Sequence, residues 1–171
     1  MAKERELKFR VDGLAPIRGV LRKLGAKLVW RGAEASQYFE HPLLRLSETG
    51  KTLRLRKWPG HSAMLTLKSK LGGKDAKYKI REEKQTYLRN FSAMEKILLG
   101  LGFVKTQFYR KKREHWSYGG AHIELDVLRG IKFVEIEGSA AKIKQMAGLL
   151  GLKMEDGITK SYLAISKELK K

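Results

Sequence analysis

The sequence predicts an α+β protein: an antiparallel β-barrel or strongly curled sheet, with helices packed against its outer face. Many short segments alternate apolar and polar residues with period two, as strands do. Turn signals near Pro42, Pro59-Gly60, Gly72-Gly73 and Gly119-Gly120 punctuate them. In seven of these segments the charged residues share one face, with acids on the first and last segments and bases on the middle ones. A barrel with a charged interior and helix-covered outer face accounts for both patterns.

The predicted elements follow one another without a low-complexity linker. A first strand at Glu4–Phe9 precedes a helix through Ile17, Val20, Leu21 and Leu24 that ends at Gly25. Further strands are predicted at Lys27–Arg31, Ala35–Glu40, Thr52–Trp58, Ser62–Lys70, Ala76–Tyr87, Lys105–Tyr118, Ala121–Leu128 and Phe133–Glu137. Ser92 and Glu95 form a capping box for a second helix, Ser139 caps a third, and Thr159–Lys170 is a fourth.

Composition limits the class of protein. A chain of 171 residues is long enough for a single well-packed domain spanning residues 1–171. The absence of cysteine excludes disulfides and thiolate metal sites. A charged N-terminus and the lack of an 18-residue apolar run predict a soluble, cytoplasmic protein without a membrane span. The net charge of +19 predicts an anionic partner, although a lysine-rich surface would give the same excess.

The same-face charges indicate a particular chemistry. In the first strand Glu4, Glu6 and Lys8 project one way while Leu7 and Phe9 project the other. Paired carboxylates suit divalent cations and paired bases suit phosphates. Such charges could simply form the solvated face of a sheet. Their segregation by sign favours a water-filled tunnel holding a metal ion and a long anion, because buried unpaired ions are costly.

A set of motifs along the chain resembles one family. The motifs are Glu4-x-Glu6-x-Lys8, Tyr38-Phe39-Glu40-His41-Pro42, Leu53-Arg54-Leu55-Arg56, Leu65-Thr66-Leu67-Lys68, Arg81-Glu82-Glu83, Lys111-Lys112-Arg113, Leu125-Asp126, Phe133-Val134-Glu135-Ile136-Glu137-Gly138 and Lys160-Ser161-Tyr162-Leu163. Together they resemble the CYTH superfamily, the triphosphate tunnel metalloenzymes. Their spacing is most similar to the class IV adenylyl cyclase branch, including its archaeal members.

This resemblance implies an eight-stranded antiparallel β-barrel tunnel with helices packed outside, holding a triphosphate and Mg²⁺ or Mn²⁺. The implied metal ligands are Glu4, Glu6, Asp126, Glu135 and Glu137. The implied triphosphate-binding residues are Lys8, Arg54, Arg56, Lys68, Arg81, Lys111, Arg113 and Lys160. The chain departs from the family pattern at Gln85 and at Ser36-Gln37, which leaves nucleotide selectivity open.

The resemblance allows two reactions. A cyclase converts ATP to cyclic AMP and pyrophosphate. A triphosphatase hydrolyses tripolyphosphate, thiamine triphosphate or a nucleoside triphosphate. In the thiamine-triphosphatase branch a Tyr–Lys pair has been proposed to activate water, and Tyr38 and Lys68 match it, although Tyr38 could equally be a packing residue.

Two further features concern partners. A nucleic-acid-binding module is the less favoured alternative, because Glu4, Glu6, Glu135 and Glu137 would repel phosphates. The four histidines have no mutual ligand spacing, which argues against a histidine metal site. Pairing of two chains as a homodimer is left open.

Overall fold

The computed structural model describes residues 2–70 and 77–169, without the side chains of residues 2–4, 61 and 62. Its strands are β1 (Ala2–Val11), β2 (Lys27–Glu40), β3 (Lys51–Trp58), β4 (His61–Lys70), β5 (Lys79–Leu88), β6 (Val104–Tyr118), β7 (Ala121–Leu128) and β8 (Ile131–Glu137). Its helices are α1 (Ala15–Lys23), α2 (Phe91–Gly100), α3 (Ala140–Leu149) and α4 (Tyr162–Glu168), with a 3₁₀ turn at Met154–Asp156.

Over this described part, the eight strands form a closed antiparallel barrel in the order β1-β5-β4-β3-β2-β6-β7-β8. The predicted α+β barrel with helices is therefore confirmed. Two compact units divide the chain. We call residues 2–3, 33–70 and 81–110 the middle unit, and residues 4–32, 77–80 and 111–169 the terminal unit. That residues 1–171 make a single domain stays a prediction.

The terminal unit is built from β1, β8, β7 and β6 in antiparallel register. Two-residue turns join β6 to β7 at Gly119-Gly120 and β7 to β8 at Arg129-Gly130, and all four turn residues have positive φ. Such turns match the natural twist of the strands, so they hold the register that aligns the side chains described below.

Both faces of these strands are buried. On one face, apolar residues of β1, β7 and β8 pack with α1 and α3 into a core that includes Leu7, Leu21, Ile136, Ile143 and Met146. On the other face lie the charged residues. The alternative of a solvated charged face is therefore wrong for the seven charged residues that lie at the centre of this face, because each is less than a tenth exposed, whereas Arg10 and Glu137 at its ends are more exposed.

The middle unit comprises β3, β4 and parts of β2, β5 and β6, with α2 packed against β3 and β4. Its core includes Phe39, Leu53, Leu55 and Leu98. Glu40 orders the loop after β2, because its carboxylate accepts hydrogen bonds from the backbone N–H groups of His41 (2.9 Å), Leu46 (2.6 Å) and Ser47 (2.9 Å).

Three expectations about elements need correction. The strands predicted at Lys27–Arg31 and Ala35–Glu40 form one strand, β2, which continues through Gly32 at a φ of 153°. Helix α2 is capped by Asn90, whose Oδ1 accepts a 3.0 Å hydrogen bond from Ala93 N, so the helix begins before the predicted cap at Ser92. Helix α4 begins at Tyr162, behind a Ser161 cap, rather than at Thr159.

Two expectations about helix ends are confirmed: the cap at Ser139 and the end of α1 before Gly25, which has a φ of 74°. In the part of the chain that the structure describes, every helix is too short or too polar to cross a membrane.

Candidate functional site

The terminal unit contains a cluster of buried charges, which we call the terminal cluster. Its acids and bases alternate with the apolar core residues along β1, β6, β7 and β8, and each is less than a tenth exposed. The members are Glu6, Lys8, Lys111, Arg113, Glu124, Asp126 and Glu135. Lys79, at the start of β5, contacts the cluster from its edge.

Arg113 lies among three carboxylates. Its Nε and Nη2 donate to the two oxygens of Asp126 at 2.7 and 2.6 Å, which is a bidentate pair. The same Nη2 donates to Glu135 Oε1 at 2.9 Å, and Nη1 lies 3.8 Å from Glu124 Oε1. Strand register produces this convergence, because Arg113 pairs with Asp126 across β6 and β7 while Glu124 pairs with Glu135 across β7 and β8.

Three lysines, Lys8, Lys79 and Lys111, offset the remaining negative charge of the carboxylates. Lys8 donates to Glu135 and lies 3.6 Å from Glu6, to which Lys79 donates at 2.5 Å. Lys111 donates to Asp126 at 3.2 Å. Burial alone would lower the pKa of Lys8, but the negative charges of Glu135 and Glu6 raise it above its usual value.

Glu135 shows the reverse balance. Burial alone would raise its pKa, but nearby cations, Lys8 and Arg113 foremost, lower it well below the usual value. Lys8 and Glu135 therefore hold each other in their charged forms inside the unit.

Tyr162 holds the two lysines from one side. Its ring centroid lies 4.2 Å from Lys8 Nζ and 4.1 Å from Lys111 Nζ, so both ammonium groups make cation–π contacts with one buried ring. Phe133 packs edge-on against the same ring at 5.6 Å. Burial and the charges of Asp126 and Glu135 raise the pKa of Tyr162 well above its usual value, so it stays neutral.

The carboxylates of this cluster fit a hard divalent cation. Mg²⁺ commonly binds through one or two carboxylates together with substrate phosphates, so a complete protein cage is not required. Among the residues that the structure describes, no three carboxylate or imidazole groups converge to form such a cage. Glu124 Oε2 is nevertheless buried and has no hydrogen-bond partner in the described part of the chain, while Oε1 lies 3.0 Å from His115 Nδ1. A buried carboxylate oxygen without a donor is a ligand suited to such an ion.

The middle unit carries a second set of charged and phenolic groups. The hydroxyls of Tyr38 and Tyr109 lie 3.2 Å apart, and Arg54 pairs with Tyr38 in the β2–β3 register. Burial is the main cause that raises the pKa of both tyrosines above the usual value, so neither is poised to act as a base. Arg56 donates to the fully buried Glu34 at 3.3 Å.

Lys68 and Arg81 lie on the neighbouring strands of the middle unit. Lys68 forms an ion pair with Glu83, which faces it across β4 and β5. Arg81 faces Lys70 in the same register.

The structure thus brings six of the residues expected at the site into the terminal cluster: Glu6, Lys8, Lys111, Arg113, Asp126 and Glu135. Glu137 lies opposite Glu6 in the β1–β8 register and is partly exposed. Lys160 is outside the cluster, 60% exposed, with its ammonium 2.8 Å from Glu168. The side chain of Glu4 falls outside the described residues.

Four residues that contact these sets were not among the expected site residues. Glu34 and Tyr109 continue the period-two faces of Tyr38 and Lys111, and Glu124 precedes Asp126 by two residues on the same face. Tyr162 belongs to the Lys160-Ser161-Tyr162-Leu163 motif, from which the family resemblance implied only the lysine as a site residue. The face periodicity could have identified the first three. Only the fold shows that the tyrosine of that motif reaches the lysines.

Comparison with known proteins gives consistent results. A family model described as CYTH domain matches residues 2–162. A protein of Methanocaldococcus jannaschii named "putative adenylate cyclase" is 29% identical over 153 residues, which cover 89% of this chain and 86% of that protein.

Two solved structures share the fold. One from Vibrio parahaemolyticus, described as a "putative adenylate cyclase", has a TM-score of 0.82 at 22% identity and covers 96% of this chain and 97% of that chain. The other, from Hippeastrum, is described as a "putative adenylyl cyclase" that reveals a dominant triphosphatase activity. It has a TM-score of 0.67 at 17% identity and covers 96% of this chain and 95% of that chain.

Proposed function

The chain belongs to the CYTH domain family, and from this premise we propose that it is a divalent-metal-dependent enzyme that converts ATP to cyclic AMP and pyrophosphate. The observation that carries the proposal is the terminal cluster, where three bases and four carboxylates are buried together. Burying so many ions costs free energy that a purely structural core would avoid. The name of the Methanocaldococcus jannaschii relative supports the choice of a cyclase.

The bases are proposed to hold the triphosphate. Arg113 offers a planar fork that grips two phosphate oxygens, while Lys8 and Lys111 offer compact point charges. Their buried position strengthens each contact with an anion, because water screens it little. The resemblance supports further triphosphate contacts, which we propose for Arg54, Arg56, Lys68, Arg81 and Lys160. Lys160 has the least structural support among these residues, because its side chain is exposed.

The carboxylates are proposed to hold Mg²⁺ or Mn²⁺. The proposed ligands are Glu4, Glu6, Asp126, Glu135 and Glu137, which the resemblance implies, and Glu124, whose buried Oε2 has no donor among the described residues. When bound, the ion would supply charge neutralisation and polarisation of the phosphoryl group. In this chain each described carboxylate of the terminal cluster contacts a base, so binding of phosphate to Lys8 and Arg113 would free Glu135 for the ion.

In the cyclase reaction the ribose 3′-oxygen forms a bond to the α-phosphorus as the bond to pyrophosphate breaks. Catalysis of this kind depends on alignment and on stabilisation of charge on the phosphate oxygens. The described residues supply that stabilisation through Lys8, Lys111 and Arg113. Tyr38 is a poor candidate for removing the hydroxyl proton, because its raised pKa keeps it protonated and its hydroxyl is bonded to Tyr109.

A triphosphatase is the second candidate. Water would then attack the terminal phosphorus and release orthophosphate, using the same bases. The description of the Hippeastrum structure supports this second candidate, because that protein is called a putative adenylyl cyclase and yet has a dominant triphosphatase activity. Under this alternative Lys68 and Tyr38 would be the catalytic pair, yet Lys68 is paired with Glu83 and Tyr38 with Tyr109. Cytoplasmic location and homodimer formation stay predictions.

A product assay tests the proposal. With Mn²⁺ and, in separate reactions, ATP, thiamine triphosphate and tripolyphosphate, a cyclase yields cyclic AMP and pyrophosphate from ATP alone. Orthophosphate from any of the three indicates the triphosphatase. Absence of every product would refute both enzymes.

Neutralising two of the proposed metal ligands, with a control variant that neutralises two other acids, tests the role of the carboxylates. The Glu135→Gln/Glu137→Gln variant should lose metal-dependent turnover, whereas Glu155→Gln/Asp156→Asn, which neutralises two exposed acids, should keep it. Activity retained in the first variant would remove these carboxylates from the site.

Thermal unfolding provides a readout that does not need turnover. ATP and tripolyphosphate, but not AMP, should raise Tm with Mg²⁺ or Mn²⁺ present, because ligands stabilise the state that binds them. Mn²⁺ should also bind more tightly when tripolyphosphate is present, as measured by titration of free Mn²⁺. Equal stabilisation by AMP would contradict triphosphate recognition.

A further inference from the structure

A cleft of about 630 Å³ lies in the middle unit, where β3 begins and β4 ends. It contains three hydroxyl side chains, three cations and one acid. The lining residues are Ser47, Glu48, Thr49, Gly50, Lys51, Thr52, Lys70 and Arg81. Lys51 and Lys70 belong to none of the residue sets assigned above.

The positive charge of this cleft is not balanced by acids in the part of the chain that the structure describes. Glu48, its one acid, is engaged by Arg45 at 3.2 Å. Lys51, Lys70 and Arg81 form no ion pair with any residue that the structure describes. Lys70 and Arg81 also face each other directly across β4 and β5. Like charges placed opposite each other destabilise a sheet, so an anion between them would relieve a repulsion that the fold itself maintains.

The cleft is also held in shape by its backbone. Lys70 N donates to Gly50 O at 2.9 Å, which ties the end of β4 to the loop before β3. Gly50 has a φ of 68°, and a Cβ there would lie 3.1 Å from Lys70 Cβ. A glycine is therefore needed for this close approach. The Glu40 carboxylate fixes the other end of the loop through Leu46 and Ser47.

We propose that this cleft binds a phosphate group. A guanidinium fork, two ammonium groups and neighbouring hydroxyls supply the charge-assisted donors that the oxygens of a phosphate accept. Two molecules can supply this phosphate. If it belongs to the substrate, the inference rests on the proposed function. If it is free pyrophosphate, the inference is independent of that function. Lys51 and Lys70 are the residues that this inference adds.

Calorimetric titration without metal tests the inference in the absence of turnover. The Lys51→Gln/Lys70→Gln variant removes two charges from the cleft and keeps side-chain length. Lys96→Gln/Lys112→Gln removes two charges from exposed positions elsewhere and is the matched control. We expect the cleft variant to bind on the order of tenfold more weakly than the control, because losing a hydrogen bond to a charged group costs at least that much.

The ligand series separates the two sources. A weakening seen with pyrophosphate identifies a free anion, and one confined to ATP and tripolyphosphate identifies the substrate. Equal affinities of the two variants for all three ligands would overturn the inference. Because no turnover is measured, that failure is distinct from an absence of products in the enzyme assay.

Ligand-free stability gives a second readout. The cleft variant should unfold at a Tm equal to or above that of the control, because it removes the repulsion between Lys70 and Arg81. A Tm clearly below that of the control would show that the lysines support the fold, and would overturn the inference that they serve a ligand.

Discussion

Replacing Tyr162 with leucine, in parallel with phenylalanine, tests how the buried lysines are held. The two variants differ in one respect that matters here: phenylalanine keeps the aromatic ring, whereas leucine keeps only an apolar side chain. Both lose the hydroxyl. Because Lys8 and Lys111 each lie about 4 Å from the ring centroid, the difference between the variants reports the two cation–π contacts.

The magnitude follows from burial. Lys8 and Lys111 have side chains 1% and 2% exposed, so each cation–π contact takes the desolvated value of about 2 kcal/mol. The edge-on contact with Phe133 adds about 1 kcal/mol. Tyr162→Leu should therefore be less stable than Tyr162→Phe by about 4 to 5 kcal/mol. The phenylalanine variant itself should lose only about 1 kcal/mol, the usual contribution of one hydroxyl contact.

Equilibrium unfolding in urea is the appropriate assay, because guanidinium chloride is a salt and would screen the charges under study. Both variants should unfold with the slope of the parent protein and differ only in midpoint. If the two variants have the same free energy of unfolding within about 0.5 kcal/mol, the ring does not stabilise the lysines. In that case, a loss of about 4 to 5 kcal/mol in both variants relative to the parent protein would assign the effect to the hydroxyl.

Three further changes have defined outcomes. Arg113→Met removes the cation that pairs with Asp126 and should lower the free energy of unfolding, measured in urea, by about 3 to 5 kcal/mol. Mn²⁺ should restore part of this loss, and an unchanged free energy of unfolding would contradict the pairing. Glu40→Gln should destabilise the protein above pH 5 but progressively less towards pH 2 in acid unfolding. Burial raises the pKa of Glu40, but hydrogen bonds from the Ser47 side chain and three backbone N–H groups lower it to about 2, so the stability it contributes is lost as pH falls. Gly157→Ala should cost about 1 to 3 kcal/mol, because its Cβ would lie 2.8 Å from the Leu7 methyl groups, whereas Gly148→Ala in α3 meets nothing within 4 Å and should raise Tm.

The sequence predicted the barrel well because strand alternation and hairpin turns are local signals. The Gly119-Gly120 turn was recognised from its residue types, but Arg129-Gly130 was not, since arginine rarely adopts a positive φ. The split of β2 at Gly32 has a similar cause. Glycine usually interrupts a strand pattern, and only the pairing of the whole strand shows that it continues here.

Prediction of the site was limited by contacts between distant residues. Face periodicity placed Lys8, Arg113 and Glu135 on the correct side of their strands, but their partners depend on strand register. The family resemblance was also an incomplete guide. It implied Lys160, which lies at the surface, and not Tyr162 two residues later, which contacts two buried lysines.

The charge balance of the terminal cluster explains why metal and triphosphate should act together. The protein as a whole carries +19, yet the four carboxylates of the cluster are offset by its three bases and by Lys79 at its edge. If a triphosphate bound alone, the bases would pair with it and the buried carboxylates would lose their partners. If a metal ion bound alone, the carboxylates would pair with it and the buried bases would lose theirs. Each change is costly in a buried site. Bound together, the two ligands would replace the internal ion pairs with contacts between unlike charges, the bases with phosphate oxygens and the carboxylates with the metal ion. If the terminal cluster binds both ligands as proposed, each increases the affinity for the other by reciprocity, and titration of Mn²⁺ with and without tripolyphosphate measures that coupling.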